Sequence, residues 1–175
     1  MSGQTLVPKL RFPGISSEVW KLARGLTSVI NKTTIEDGDI LERGRSERLF
    51  ASKFAANLQS CINSNSDIWP AIKADANYNK HGRETKRANK NDVLSVIEID
   101  IAVHKRGTDE KNLLVIELET SNTPERDDMW KLEELTRQDG DYDYALGLYL
   151  VLGVNERAGQ IVDRRWYIDG AEVKS

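Results

Sequence analysis

The sequence predicts an α/β protein in which a mixed β-sheet is flanked by helices. Apolar residues recur at a helical period up to about residue 62, and after Pro70 the pattern changes to alternation. Residues 145–154 (ALGLYLVLGV) are almost continuously apolar, as in a strand covered on both faces. Strands interleaved with helical segments place the helices on the faces of a sheet.

Residues 1–15, with Gly3, Pro8, Pro13 and Gly14, read as an irregular arm, and residues 16–175 as a single domain. Ser16 and Ser17 offer capping hydroxyls to a helix whose stripe is Val19, Leu22, Leu26, Val29 and Ile30. The polar stretch from Asn31 to Gly38 is expected to break it. A second helix runs from about Ile40 to Ile62, with Leu41, Leu49, Phe50, Phe54, Leu58 and Ile62 turned inward. Residues 72–78 (IKADANY) alternate as a strand, and His81 to Asp92 (HGRETKRANKND) reads as a charged loop. The next strand, Val96 to Val103, sets Ile97, Ile99, Ile101 and Val103 against Glu98, Asp100 and Ala102. A turn at Gly107–Lys111 leads into Asn112 to Thr120, where Val115, Glu117 and Glu119 share a face opposite Leu114, Ile116 and Leu118. Thr123-Pro124 begins a helix, with Glu125, Asp127 and Asp128 in its first turn and Met129, Leu132 and Leu135 as its stripe. Strand 145–154 and a last strand, Gln160 to Ile168, follow. The order is α-α-β-β-β-α-β-β.

At 175 residues and 39% apolar the chain is long enough for one core, and 30% charged residues exclude a collagenous or disulfide-stapled class. No apolar run approaches the ~20 residues of a membrane span, and the first residues lack a signal-peptide pattern. A cytoplasmic protein with no membrane partner is expected. The lone Cys61 excludes an internal disulfide and a Cys-based zinc cage, and His81 and His104 are too few for a His-rich one. A net charge of −3 excludes a globally basic nucleic-acid coat and leaves a local basic surface open. Residues 107–111 do not resemble a phosphate-cradling loop, and no Ser/His/Asp or Cys/His arrangement suggests a covalent nucleophile.

The acids carry the most information. Glu98, Asp100, Glu117 and Glu119 lie within segments that otherwise read as buried strands, and an unpaired buried carboxylate costs several kcal/mol. Residues two apart on a strand are ~6.5 Å apart on one face, so Glu117 and Glu119 point the same way. If the two strands form a hairpin, Asp100 joins them. Carboxylates gathered so closely raise one another's pKa unless a cation sits among them, and oxygen ligands suit Mg²⁺ or Mn²⁺. The ordinary alternative is pairing with Lys or Arg, or exposure at a sheet edge.

The stretch around these acids, IDIAVHKRGTDEKNLLVIELET, resembles the core of the PD-(D/E)XK, restriction endonuclease-like nucleases. Ile99-Asp100 stands in the place of the Pro-Asp, and Glu117-Leu118-Glu119 in that of the (D/E)-x-K. The wider pattern is similar to small bacterial members of that superfamily: Glu47-Arg48 upstream, Tyr78-Asn79, then Lys131-Leu132 and Gly147-Leu148. The likeness spans roughly residues 40 to 155 and implies a restriction endonuclease-like αβββαβ core. Two positions depart from it: Glu119 holds the usual catalytic Lys position, and Asn77 stands where related sequences tend to carry an acid.

The resemblance implies Mg²⁺-dependent hydrolysis of nucleic-acid phosphodiesters, DNA foremost. Asp100, Glu117 and the Leu118 carbonyl would hold one or two ions ~3.5–4 Å apart, which polarise the phosphate and acidify a water. Glu119 would ligate metal or act as base. Glu47 would complete the shell, or else pair with Arg43 or Lys53 as a solvent-facing helical residue. Lys131 would replace the missing ammonium, or else lie on an exposed face. Arg83, Lys86, Arg87 and Lys90 would contact phosphates, or else form a solvated charge run. Trp20, Trp69, Trp130 and Trp166 are scattered, as packing residues are. So short a chain implies a homodimer or a larger partner for DNA grip. The alternatives are a catalytically degenerate fold serving as a DNA- or protein-binding module, and a metal-free structural protein.

Overall fold

A computed structural model of the chain describes residues 12–43, 46–81, 84–90, 93–108 and 110–173. Helix α1 (Ser17–Asp37) starts where the Ser16 side chain accepts the Val19 N–H at 3.2 Å, and it buries Val19, Leu22, Leu26, Val29 and Ile30. It continues through the polar stretch expected to end it. Thr33 is buried there, donating to the Val29 carbonyl at 2.8 Å and accepting from Asn57 at 3.1 Å, so its hydroxyl is satisfied by a neighbouring helix. The single helix expected over 40–62 is instead α2 (Asp39–Glu42) and α3 (Glu47–Asn63). Phe50, Phe54, Leu58 and Ile62 of α3 are buried as the period requires, whereas Leu49 is 43% exposed and does not join them.

Strand β1 (Ile72–Tyr78) is followed by two small ribbons where a loop was expected: β2 (Lys80–His81) with β3 (Glu84–Thr85), and β4 (Arg87–Lys90) with β5 (Val93–Val96). The ribbons hold because Lys86, between them, is buried: its N–H donates to the Asn79 carbonyl at 2.7 Å and its carbonyl accepts from Ile97 at 3.0 Å. Its ammonium lies 4.2 Å from the ring centre of Tyr142 and 5.4 Å from that of Tyr144. Those rings lie over fifty residues downstream, so local pattern reads the segment only as polar.

The chain then forms β6 (Ile99–Lys105), β7 (Asn112–Thr120), α4 (Met129–Thr136), β8 (Gly147–Leu152), β9 (Ile161–Ile168) and the unanticipated β10 (Ala171–Val173). Among the described residues the main sheet has the order β1-β6-β7-β8-β9-β10, and β7–β8, bridged by α4, is its parallel pair. One face packs Ile101, Val103, Leu114, Ile116, Leu148, Leu150 and Trp166 against α1 and α3. The other packs Val115, Tyr149, Val151 and Tyr167 against Leu132 and Leu135 of α4. Ile97 and Ile99 belong to this second cluster, not with Ile101 and Val103 as alternation suggests; Ile97 lies before the strand, which starts at Ile99. The protein is α/β, with a mixed sheet flanked by helices. Among the described residues no helix is long and apolar enough to cross a membrane.

Candidate active site

The β6–β7 pairing runs from His104↔Asn112 to Ile101↔Ile116. Asp100 and Glu117 are the next residues on either side. Asp100 Oδ2 accepts the Leu118 N–H at 2.8 Å, so a side chain takes over where the ladder stops. Glu117 is 1% exposed; Oε2 lies 3.1 Å from Lys131 Nζ, and Oε1 has no hydrogen-bond partner among the described residues. Lys131 enters from α4, and its ammonium also reaches Asp128 Oδ2 at 2.9 Å and the Glu98 carbonyl at 3.4 Å. Its three N–H donors therefore all have acceptors inside the protein.

Glu47 approaches from the start of α3, its Oε2 accepting the Thr120 N–H at 2.8 Å, just past the end of the acidic run on β7. Glu119 turns to the segment before α4. It accepts the Glu125 N–H at 3.0 and 3.2 Å and the Tyr149 hydroxyl. The Tyr149 oxygen in turn accepts the Arg126 N–H at 3.2 Å. These bonds explain why the helix expected at Thr123-Pro124 starts only at Met129: the free N–H groups of its first turn are drawn to β7 and β8, and Arg126 adopts φ 65°. A cleft of about 160 Å³ results, lined by Glu47, Glu117, Leu118, Glu119, Glu125, Asp127, Asp128 and Tyr149; Asp100 lies beside Glu117 but does not line it. A larger hollow of about 210 Å³, walled by Arg87, Glu134 and Arg137 among others, holds none of the predicted carboxylates.

Burial pushes the Glu117 carboxyl well above the usual range, the negative charge of Asp100 adds to this, and Lys131 opposes it. Asp100 is also raised by burial, against the Leu118 N–H and Lys131. Glu47 is raised by burial, with Asp100, Glu119 and Asp128 adding and the Thr120 N–H opposing. Burial alone would lower Lys131, but Glu117 and Asp128 outweigh it and hold the ammonium above its ordinary value. Among the described residues the site gathers Glu117, Asp100, Asp128 and Glu47 around one ammonium, that of Lys131.

Among the described residues no three His, Cys, Asp or Glu side chains converge as a ready cage for an ion. The donor chemistry nevertheless fits a hard divalent cation. The buried Glu117 Oε1 lacks a partner, and the Asp100 and Glu117 carboxylates, with the Leu118 carbonyl, would offer such an ion oxygens alone.

The basic residues divide. Arg87 is exposed on β4, whereas Lys86 is 2% exposed, so the expectation that it contacts phosphate is corrected: the tyrosine rings enclose it. Arg83 lies outside the described residues, as does the Lys90 side chain at the end of β4. Glu98 follows the ordinary alternative, pairing with Arg48, which also donates to Asn77 Oδ1 at 2.9 Å. Sequence reasoning missed Asp128 and Tyr149. The i,i+3 spacing of Asp128 and Lys131 was the available signal for the first; nothing local marked the second.

No protein-family model matches the chain, and no curated protein matches it.

Proposed function

We propose that the chain is a nuclease dependent on Mg²⁺ or Mn²⁺ that hydrolyses phosphodiester bonds of nucleic acid, foremost DNA, on a restriction endonuclease-like core. One observation carries the reading. Asp100 and Glu117 sit side by side where two strands stop pairing, one buried carboxylate oxygen lacks a partner, and an ammonium stands 3.1 Å from the other. The run α3-β1-β6-β7-α4-β8, apart from the two ribbons, supports the αβββαβ core that the sequence resembles.

Asp100, Glu117 and the Leu118 carbonyl would hold the ion, with Glu47 beside them. The ion supplies the charge that polarises a phosphate and acidifies an attacking water. Lys131, held between Glu117 and Asp128, would supply the ammonium that the resembled family carries at the position of Glu119 and that helps activate the water. Arg87, exposed on β4, would contact phosphates of the nucleic acid, and a homodimer or larger partner would add grip.

The test is incubation with plasmid, single-stranded DNA and RNA in Mg²⁺ or Mn²⁺, beside Asp100→Ala. Metal-dependent cleavage is expected, falling by roughly 10²–10³ in the variant. A second reading, a catalytically degenerate module that binds DNA or protein, is favoured by one observation: Asp100, Glu47 and Glu119 each already accept a backbone N–H. Binding without cleavage of any of these substrates would select it.

A further inference from the structure

We infer that Glu119 is a positioning residue: together with Tyr149 it clamps residues 121–128 so that Asp128 and Lys131 are presented to Glu117. The catalytic consequence rests on the nuclease reading, but the clamp itself does not.

Glu119 and Tyr149 stand on neighbouring parallel strands, Tyr149 opposite Glu117 and Val151 opposite Glu119. The hydrogen bonds run in one direction. The Arg126 N–H donates to the Tyr149 oxygen, the Tyr149 hydroxyl donates to Glu119, and Glu119 also accepts the Glu125 N–H with both oxygens. Burial, and then Glu119 itself, hold the Tyr149 phenol above its ordinary value, so it remains a donor. The clamped segment bends through Arg126 at φ 65°, a left-handed conformation that L side chains rarely adopt and that needs such external support. Immediately beyond the bend, Asp128 takes the Lys131 ammonium at 2.9 Å, and Lys131 meets Glu117.

This arrangement gives a chemical reason for the residue at position 119. The Glu125 N–H and the Tyr149 O–H both donate to it, and a carboxylate, which accepts only, can take both. A lysine there offers no acceptor to the Glu125 N–H, which can only donate, and so releases the segment. Once position 119 serves the clamp, the ammonium of the site must come from elsewhere, and Lys131 is the cation that the clamped segment delivers.

Glu119→Gln, Tyr149→Phe, the double variant and Glu119→Lys test the inference in three ways: steady-state kinetics with Mn²⁺, calorimetric Mn²⁺ affinity, and hydrogen exchange at the Glu125 and Arg126 amides. Each single neutral variant is expected to lower kcat by roughly 10–100-fold, leaving KM and Mn²⁺ affinity unchanged. The double variant should be no worse than the poorer single one, because both break one network. The Glu125 amide should exchange about tenfold faster or more. Glu119→Lys, though it restores the residue usual in the resembled family, should cleave more slowly than the parent. Loss of Mn²⁺ binding in Glu119→Gln with a normal Tyr149→Phe would make Glu119 an ion ligand and overturn the inference, as would faster cleavage by Glu119→Lys. Unchanged exchange in both single variants would remove the clamp. Should the parent cleave nothing, the nuclease reading fails, while exchange and Mn²⁺ affinity still decide the role of Glu119.

Discussion

Lys131 was ambiguous in the sequence because a lysine on a helix between two strands usually faces water. Its meaning comes from the acceptors around it: Glu117, Asp128 and the Glu98 carbonyl. Lys131→Met leaves Glu117 buried beside Asp100 without its cation, which should cost about 3 kcal/mol near pH 8. The sign of the pH dependence follows from Glu117. Its folded-state value is raised, so its contribution to stability is fully present below the unfolded value and lost as pH rises. The penalty should therefore be smaller at pH 5 than at pH 8. Urea midpoints at the two pH values check this, and an equal loss at both would contradict it. Asp75 behaves in the opposite way. Against the upward push of burial, hydrogen bonds from Arg106 at 2.7 Å and His104 at 3.0 Å hold it well below the ordinary 3.8. Its contribution is present above that ordinary value and is lost progressively as pH falls from there toward the depressed folded-state value. The parent should lose stability more steeply than Asp75→Asn between pH 4 and pH 2.5 in acid-titrated urea unfolding, and parallel curves would refute the assignment.

At the scale of elements, strands whose period reflects contact with one core face were legible. Residues 72–78 and 112–120 form strands with the bounds read from alternation. Elements whose ends depend on distant partners were not. The start of α4 moves to Met129 because Glu119 and Tyr149 compete for the free N–H groups of its first turn. The two ribbons, β2–β3 and β4–β5, depend on a lysine seated on tyrosine rings. The placement of α4 has its own requirement at Gly147, where an added Cβ would lie 2.9 Å from Thr136 Cγ2 and 3.1 Å from Tyr167 Cβ. Gly147→Ala should therefore lift α4 from β8, lowering stability by about 1–3 kcal/mol and, by moving Lys131, lowering any cleavage activity as well. A urea midpoint equal to that of the parent would show that the helix has room.

For the molecule as a whole, the sheet is covered on both faces, and the acidic cleft lies where β6 and β7 stop pairing and α4 begins. Carboxylates raised by burial make this the place where a bound cation should be felt as global stability. Mn²⁺ at a hundredfold excess over its Kd should add about 2.7 kcal/mol. For a chain of this length that is a Tm rise of roughly 5–10 °C. Thermal melts of the parent and Asp100→Ala with and without Mn²⁺ check it. A Tm that Mn²⁺ leaves unchanged in the parent would count against ion binding at this cleft.

By itself the sequence determined the α/β class, the sheet strands that follow the period of a half-buried or fully buried face, and the shared face of Glu117 and Glu119. These follow from backbone geometry and the cost of burying charge, which act over a few residues. Only the tertiary structure decided what each acid does. It turned Asp100 to the Leu118 amide, paired Glu117 with Lys131, and gave Glu119 to the Glu125 amide and Tyr149. Two glutamates of the same type, two residues apart on the same strand, differ because one lies beneath an ammonium and the other beside an N–H and a hydroxyl, and those partners reach the strand only when the chain folds back.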